Sequence, residues 1–260
     1  MATKFGFRPP AGVERHRFPV GYRYGELAVN GDPRYVRGYA EGSLRRLGAD
    51  RIDLWFPHFP DPTVPIEDTV GAMAALVTEG LVGVIGLSNV SAAQLQSALA
   101  VHPIGVVQVE WSMWQPIEPA LLALADRHGI GIMAWSPLGA GFLTGTVQGL
   151  EADDFRRNFP RFDEANLASN VDRYAPIRSL AMELGLTPGQ LALAWLLHQH
   201  PSVVPIPGSR STAHIDENLA AARARLDDDV LARLDRELAG FRPVGATLWD
   251  TGTTGAGGDG

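Results

Sequence analysis

Short apolar segments alternate with segments of helical periodicity along most of this 260-residue chain, and no other feature constrains the fold as strongly. Each apolar segment has the length of a strand buried on both faces, and apolar residues recur at helical spacing in the segment that follows. Such alternation predicts a parallel sheet with right-handed crossovers. The predicted strands are residues 2–5, 52–56, 82–87, 106–109, the first half of 129–145, and 203–206.

Capping residues mark several helix boundaries. Asp32-Pro33 supplies an N-cap followed by a first-turn proline, and Ser91 with Gln94 forms a capping-box pattern. Thr187 with Gln190 predicts another capped helix start. Between these elements we predict a long loop over residues 7–32 and an irregular region over 146–170, and we expect residues 245–260 to be a flexible tail.

A doubly wound sheet and a barrel both fit the alternation. No G-x-G-x-x-G follows a predicted strand, because Gly139, Gly141 and Gly145 are spaced one residue too wide and open no clear helix. The barrel is favoured because polar or aromatic residues stand at the carboxyl end of each strand, where such barrels hold their sites. We therefore expect residues 1–244 to form a TIM-type parallel (β/α) barrel of six strands, which lacks the first two βα units.

The stretch 129–145 turns abruptly from apolar residues to Trp, Ser, Pro and Gly. If its loop binds a ligand, Trp135 offers a flat ring for stacking, and the backbone N–H groups of Leu138 to Gly141 are placed to meet an anion. The alternative is a core tryptophan beside a glycine-rich turn. This stretch alone favours neither interpretation.

Charge and composition argue against several classes of protein. The chain has 22 basic and 29 acidic residues, and the net charge of −7 argues against nucleic-acid or anionic-membrane binding. The absence of cysteine excludes disulfides and cysteine nucleophiles, and the histidines show no metal-ligand spacing. Since no signal-peptide pattern and no apolar run of bilayer length is found, we expect a cytoplasmic protein without a metal.

An ordered set of short motifs resembles the aldo-keto reductase family over nearly the whole chain. Taken singly, each motif has an ordinary structural explanation, but their order favours the family. The resemblance implies a (β/α)₈-type barrel, NADPH as the usual cofactor, and reversible reduction of an aldehyde or ketone. The motifs are Ala-Thr-Lys-Phe-Gly at 2–6, Ile-Asp-Leu-Trp-Phe-Pro-His at 52–58, Pro-Ile-Glu-Asp-Thr at 65–69, Ile-Gly-Leu-Ser-Asn at 85–89, Val-Gln-Val-Glu-Trp-Ser at 107–112, Trp-Ser-Pro-Leu at 135–138, and Pro-Ile-Pro-Gly-Ser at 205–209.

The resemblance also implies roles for individual residues. Lys4 matches the catalytic lysine, and His58 matches the histidine that hydrogen-bonds the substrate carbonyl. The implied contacts to NADPH run from its nicotinamide to its adenosine end. The carboxamide is held in the family by residues that match Ser88, Asn89 and Gln108, and the ring that stacks on the nicotinamide matches Trp135. The pyrophosphate path is lined by residues that match Ser136, Leu138 and Gly139. The adenosine end is contacted by residues that match Gly208, Ser209, Arg210, His214, Glu217 and Asn218.

One departure from the family concerns the acid. The family's first two strands bring an Asp and the Tyr that protonates the carbonyl oxygen, and no residue of this sequence matches them. An acid of this kind is worth about 10²–10⁴ in rate. Three alternatives stay open: further βα units upstream, turnover with water or with Tyr22 or Tyr24 as the acid, and an NADPH-binding sensor or scaffold with little catalysis.

Two further expectations concern the cofactor and partners. His214 stands where many members carry arginine, so the choice between NADPH and NADH stays open. A six-stranded sheet would leave its first and last strands as open edges, which predicts a homo-oligomer or poor solubility. We expect a small carbonyl compound as substrate, and neither a nucleic acid nor a membrane as partner.

Overall fold

The computed structural model describes residues 1–7, 16–19 and 26–246, and strands alternate with helices along them. Six strands form one sheet, and the pairings recorded within it are parallel. This confirms the predicted α/β class and the six-stranded barrel-type sheet. The strands are β1 Ala2–Phe5, β2 His16–Pro19, β3 Glu26–Val29, β4 Ile52–Pro57, β5 Val82–Ser88, β6 Val106–Glu110, β7 Gly131–Trp135 and β8 Val203–Pro205.

The order of strands in the main sheet is β1-β4-β5-β6-β7-β8, so consecutive strands of the sheet are neighbours. Lys4 on β1 stands opposite Phe56 on β4, and Ser88 on β5 stands opposite Gln108 on β6. Parallel strands in this register end at the same edge of the sheet. The residues that follow them are therefore brought together there.

The predicted loop over residues 7–32 is wrong in part. It contains β2 and β3, which pair in a separate two-stranded sheet, and Phe7 forms an antiparallel bridge with Val29. Strands of four residues carry too little periodicity to stand out in the sequence, and their pairing partner decides whether they form.

Capping residues begin the helices as the sequence predicts. The Asp32 side chain accepts the backbone N–H of Arg34 at 3.0 Å, and both Ser91 and Thr187 form complete capping boxes. The helices are α1 Pro33–Leu47, α2 Ile66–Thr78, α3 Ala92–Leu99, α4 Pro119–Arg127, α5 Glu164–Glu183, α6 Pro188–Gln199, α7 Thr212–Ala220 and α8 Asp228–Gly240.

The region predicted to be irregular up to Asn170 is more regular than expected. It contains short 3₁₀ turns at Phe155–Asn158 and Pro160–Phe162, and α5 begins at Glu164. The first turns of α5 carry few apolar residues, so periodicity alone gave no helical signal there. Pro176 lies inside this helix.

The chain divides into two compact units. Unit 1 comprises Met1–Phe18, Glu26–Val109 and Ile117–Met133, and unit 2 comprises Pro19–Gly25, Glu110–Pro116 and Ala134–Gly260. The core of unit 1 contains Ile52, Trp55, Ile85 and Leu87, and that of unit 2 contains Phe142, Tyr174, Ile177 and Leu191, all of which are buried. The predicted single domain over 1–244 stays a prediction.

The carboxyl-terminal stretch is tied to α5 within unit 2. Asn170 is fully buried, and its side chain accepts the backbone N–H of Val244 at 2.7 Å and donates to the Val244 carbonyl at 3.0 Å. Arg161 donates to the Gly245 carbonyl at 2.9 Å. Most of the predicted flexible tail, from residue 247 on, lies outside the described residues.

Among the described residues, no single helix has the length and apolar composition needed to cross a bilayer. The pair α5 and α6 meets both criteria only when the two are taken together, and it is bent by 88°.

Candidate functional site

Five of the predicted site residues lie at the carboxyl ends of strands in unit 1. Lys4 is on β1, His58 follows β4, Ser88 ends β5, Asn89 comes next, and Gln108 is on β6. Hydrogen bonds connect all five of them, through backbone or side-chain atoms. The structure therefore brings these residues together in one cluster.

Lys4 is joined to Gln108. Its ammonium group donates a hydrogen bond to Gln108 Oε1, and the side chain is partly buried. Burial lowers the pKa of Lys4, since desolvation disfavours the charged form. Within the described part of the chain no carboxylate contacts Lys4, so no anion offsets this effect.

Asn89 links three strand ends. Its backbone is left-handed, with φ of 58°, a conformation that asparagine tolerates better than most residues. The Asn89 amide Nδ2 donates to the His58 carbonyl at 3.0 Å and to Ser88 Oγ at 3.2 Å. Its backbone N–H donates to the Gln108 carbonyl at 2.9 Å. Asn89 thus fixes the backbone that carries His58 and the end of β5.

His58 is held by its backbone and by two aromatic rings. Its N–H donates to the Phe5 carbonyl at 2.8 Å. The imidazole stacks on Phe59 with a centroid distance of 4.9 Å and lies 4.8 Å from the ring of Phe7. Burial, and then the charge of Lys4, lower the pKa of His58 to about 4. The ring is therefore neutral at pH 7, with one N–H donor and one acceptor nitrogen.

Gln108 has a side-chain N–H group whose hydrogen-bonding partner is weak. Its side chain is only 4% exposed, and its Oε1 accepts from Lys4. Among the described residues, its Nε2 meets only the Met133 sulfur, at 3.9 Å, which is a weak acceptor. A buried amide N–H group with so weak a partner suits the carbonyl oxygen of a ligand amide.

The loop after β7 belongs to unit 2 and carries Trp135, Ser136, Leu138 and Gly139. Trp135 and Ser136 are half-buried, and Gly139 is buried against Trp114, where a Cβ would lie 2.6 Å from Trp114 Cε3. Glycine is thus the residue that fits beside this ring. Trp114 itself stacks on Phe142 at 4.1 Å.

Three of the four N–H groups that the sequence offered to an anion in this loop, those of Gly139, Ala140 and Gly141, are hydrogen-bonded within the loop. Gly139 N–H donates to the Ser136 carbonyl at 2.8 Å, Ala140 N–H to Ser136 Oγ at 3.1 Å, and Gly141 N–H to the Leu138 carbonyl at 3.0 Å. The loop consumes these donors in its own turns. Only the N–H of Leu138 makes no hydrogen bond with the described residues.

The residues predicted for the adenosine end lie after β8 and on α7, also in unit 2. Gly208, Arg210 and His214 are exposed, and Ser209 and Asn218 are half-buried. Arg210 makes no hydrogen bond or ion pair with the described residues, which leaves its guanidinium available. Glu217 accepts a hydrogen bond from Thr187 Oγ1 at 2.5 Å, and this bond attaches α7 to the start of α6.

Two acidic residues that hold neighbouring segments in place were not predicted from the sequence. Asp61 is 4% exposed and accepts the N–H of Gly31 at 3.0 Å, and Asp154 pairs with Arg156 at 2.6 Å. Asp61 lies between two prolines three residues after His58, and Asp154 precedes Arg156 by two residues. These local patterns are compatible with ordinary turns, and only the folded structure shows what each acid holds.

Comparison with known proteins gives one consistent result. The family model described as the aldo/keto reductase family matches residues 2–238. A probable aldo-keto reductase of Glycine max is 40% identical over 248 residues, which are 94% of this chain and 67% of that protein.

Solved structures agree with this match. The glycerol dehydrogenase of Gluconobacter oxydans aligns with a TM-score of 0.77 and 26% identity, over 93% of this chain and 72% of that one. A thermostable aldo-keto reductase solved with the inhibitor epalrestat aligns with a TM-score of 0.64 and 28% identity, over 79% of this chain and 67% of its own.

Proposed function

Because the chain belongs to the aldo/keto reductase family and is an oxidoreductase, we propose that it transfers hydride between NADPH and a small aldehyde or ketone. The observation that carries the proposal is the cluster of Lys4, His58 and Gln108 at the ends of β1, β4 and β6. It places an ammonium, a neutral imidazole and an underused amide in one part of unit 1.

The amide groups of unit 1 fit the carboxamide of a nicotinamide ring. Gln108 Nε2 has only a thioether partner within the described ranges of the chain and can donate to the carboxamide oxygen. Ser88 and Asn89 lie beside it through the Asn89 N–H bond to the Gln108 carbonyl. When bound, NADPH supplies the hydride, and these side chains orient the ring that carries it.

Lys4 and His58 would stabilise the charge that develops on the carbonyl oxygen, and water would supply the proton that converts the alkoxide into the alcohol. The Lys4 ammonium has three N–H donors, and the one hydrogen bond that it makes with the described residues goes to Gln108. The neutral His58 ring adds a donor without a second charge. Donors placed for the transition state contribute about 10²–10³ each in kcat.

The remaining cofactor contacts are those that the family resemblance implies for residues of unit 2. Trp135 would stack on the nicotinamide, and Ser136, Leu138 and Gly139 would line the pyrophosphate path. The free Arg210 guanidinium supports a contact with the 2′-phosphate, since guanidinium groups bind phosphate by paired donors. Gly208, Ser209, His214, Glu217 and Asn218 complete the proposed adenosine end.

A second candidate is a cofactor-binding sensor with little turnover. The observation that favours it is that Lys4 hydrogen-bonds no tyrosine hydroxyl in the described part of the chain. Tyr22 and Tyr24, the predicted substitutes for the acid, lie outside the described residues. A cytoplasmic location and a homo-oligomer also remain parts of the proposal.

Titration with NADPH, followed by a panel of aldehydes, tests the proposed function. Glycerol belongs in the panel for the reverse reaction, because a structural relative is named a glycerol dehydrogenase. Turnover that falls about 10²–10³-fold in Lys4→Met, with NADPH binding retained, supports the reductase. Binding without turnover in the wild type supports the sensor, and absence of NADPH and NADH binding contradicts both.

Lys4 permits a second, independent measurement because it is the only lysine in the sequence. An amine-reactive ester will acylate this side chain as well as the N-terminal amine, and fragmentation of the labelled peptide in the mass spectrometer will report the rate at Lys4. Bound NADPH should slow the acylation of Lys4. An unchanged rate at saturating NADPH would contradict the assignment of Lys4 to the cofactor site.

A further inference from the structure

The loop after β7 adopts a conformation that its own residues disfavour. Ser136, Gly139, Ala140 and Gly141 have φ values of 51°, 56°, 53° and 91°, all in the left-handed region. Glycine enters this region freely, but serine and alanine do so at a cost. Contacts from outside the loop must therefore hold Ala140 in place.

Arg156 makes such a contact. Its Nη1 donates a hydrogen bond to the Ala140 carbonyl at 3.1 Å. A Cβ on the next residue, Gly141, would lie 3.3 Å from the same Nη1. The guanidinium thus packs against two consecutive left-handed residues, and it leaves little space for a side chain at Gly141.

Asp154 holds the guanidinium in this position. Its two oxygens accept Nη2 at 2.6 Å and Nε at 3.0 Å, a two-point contact that fixes the plane of the guanidinium. The same carboxylate accepts the backbone N–H of Arg156 at 2.9 Å and caps the 3₁₀ turn Phe155–Asn158. The two side chains are 22% and 18% exposed, so the pair is largely shielded from water.

We propose that Asp154 and Arg156 form a clamp that keeps the loop Ser136–Gly141 in the conformation that binds the pyrophosphate of NADPH. This inference rests on the proposed function. Arg156 is a positioning residue in this scheme, because Asp154 neutralises its charge and three of its five N–H donors are used on Asp154 and the Ala140 carbonyl. It acts through the shape of the loop, without a direct contact to phosphate.

Binding of NADP⁺ and of adenosine 2′-monophosphate, measured by calorimetry, tests the clamp. The second ligand lacks both phosphates of the pyrophosphate, so it reports on the adenosine end alone. We expect Arg156→Ala and Asp154→Asn to weaken NADP⁺ binding about tenfold, the loss of one or two good hydrogen bonds, and to leave binding of the monophosphate unchanged. Arg157→Ala is the matched control, since Arg157 is exposed and its side chain hydrogen-bonds, among the described residues, only the Leu150 carbonyl, at 3.3 Å.

A rescue variant separates positioning from direct contact. Ala140→Gly removes the cost of the left-handed conformation. In the Arg156→Ala background it should restore part of the NADP⁺ affinity. Absence of rescue, together with a shallower salt dependence in Arg156→Ala, would show that Arg156 contacts the phosphates directly and would overturn the clamp. Equal losses for both ligands would overturn it as well.

Hydrogen exchange of the protein without cofactor keeps the two proposals distinguishable. Arg156→Ala should speed exchange of the Ala140 and Gly141 amides, and Arg157→Ala should not. If the wild type binds no NADP⁺, the proposed function fails, and faster exchange in Arg156→Ala would still show the clamp on the loop. If the wild type binds NADP⁺ and exchange is the same in both variants, the clamp alone fails.

Discussion

The backbone N–H of Gly31 donates to Asp61 Oδ2 at 3.0 Å, and the Gly31 carbonyl accepts from Thr69 Oγ1 at 2.7 Å. Two buried side chains thus hold both polar groups of one peptide segment. Asp61 also accepts the N–H and the hydroxyl of Thr63, at 2.9 and 2.7 Å. This network fastens the segment before α1 to the loop that carries His58.

Asp61→Ala should therefore be strongly destabilising. It removes the acceptor of a buried N–H, and we expect the free energy of unfolding to fall by about 2–3 kcal/mol. Urea denaturation followed by tryptophan fluorescence measures the change. Asp50→Ala is the control, since Asp50 is exposed and should change stability by less than about 0.5 kcal/mol. Equal midpoints for the two variants would mean that the network contributes little.

Gly86 leaves no space for a side chain because the Phe56 ring covers it. A Cβ on Gly86 would lie 2.1 Å from Phe56 Cε1. Gly86→Ala should cost about 1–3 kcal/mol of stability, and the double variant with Phe56→Leu should lose less than the sum of the two single variants.

A second glycine provides a control for which the same substitution should raise stability. Gly71 lies inside α2, and a Cβ there would meet nothing within 4 Å. Gly71→Ala should stabilise the protein by about 0.5–1 kcal/mol, since alanine loses less backbone entropy in a helix. Thermal melts of both alanine variants give the comparison, and a melting temperature of Gly86→Ala at or above the wild-type value would contradict the first expectation.

His58 should make stability depend on pH. Its pKa is lowered from 6.5 to about 4 in the folded state, so the unfolded chain binds more protons between these values. The free energy of unfolding therefore has its full value, as far as His58 is concerned, above about pH 6.5, and it decreases as the pH falls toward 4. His58→Gln should flatten this slope in urea titrations at several pH values. An NMR titration that gives the His58 ring an ordinary pKa near 6.5 would contradict the burial argument.

Gln108 should contribute to cofactor affinity through its underused amide. Gln108→Ala removes that donor, and we expect the Kd for NADPH to rise about tenfold. Gln148→Ala is the control because Gln148 is exposed. The prediction fails if Gln108→Ala binds NADPH as tightly as Gln148→Ala, as measured by quenching of protein fluorescence.

Elements with a local signal could be predicted from the sequence. β4 was predicted as residues 52–56 and spans Ile52–Pro57, because its apolar run and the following Pro57-His58 are visible in the chain. The N-caps at Asp32, Ser91 and Thr187 could likewise be predicted, since capping depends on neighbouring residues.

Features that depend on distant contacts could not be predicted. β2 and β3 form through their pairing with each other, and Arg156 matters through a carbonyl that lies 16 residues away in the chain. The strand-end residues of unit 1 follow from the order of parallel strands, and the structure brings them together as a cluster. Their roles toward NADPH stay a prediction.

The two hydrogen bonds between Asn170 and Val244 make the carboxyl-terminal stretch part of the packing around α5. Shortening the protein before Val244 would leave a buried amide with neither of these partners, at the point where α5 makes its early turns. Pro176 follows soon after and cannot donate a helical hydrogen bond, so this part of α5 already has one backbone hydrogen bond fewer. A purification tag is better joined well beyond Val244 than next to it.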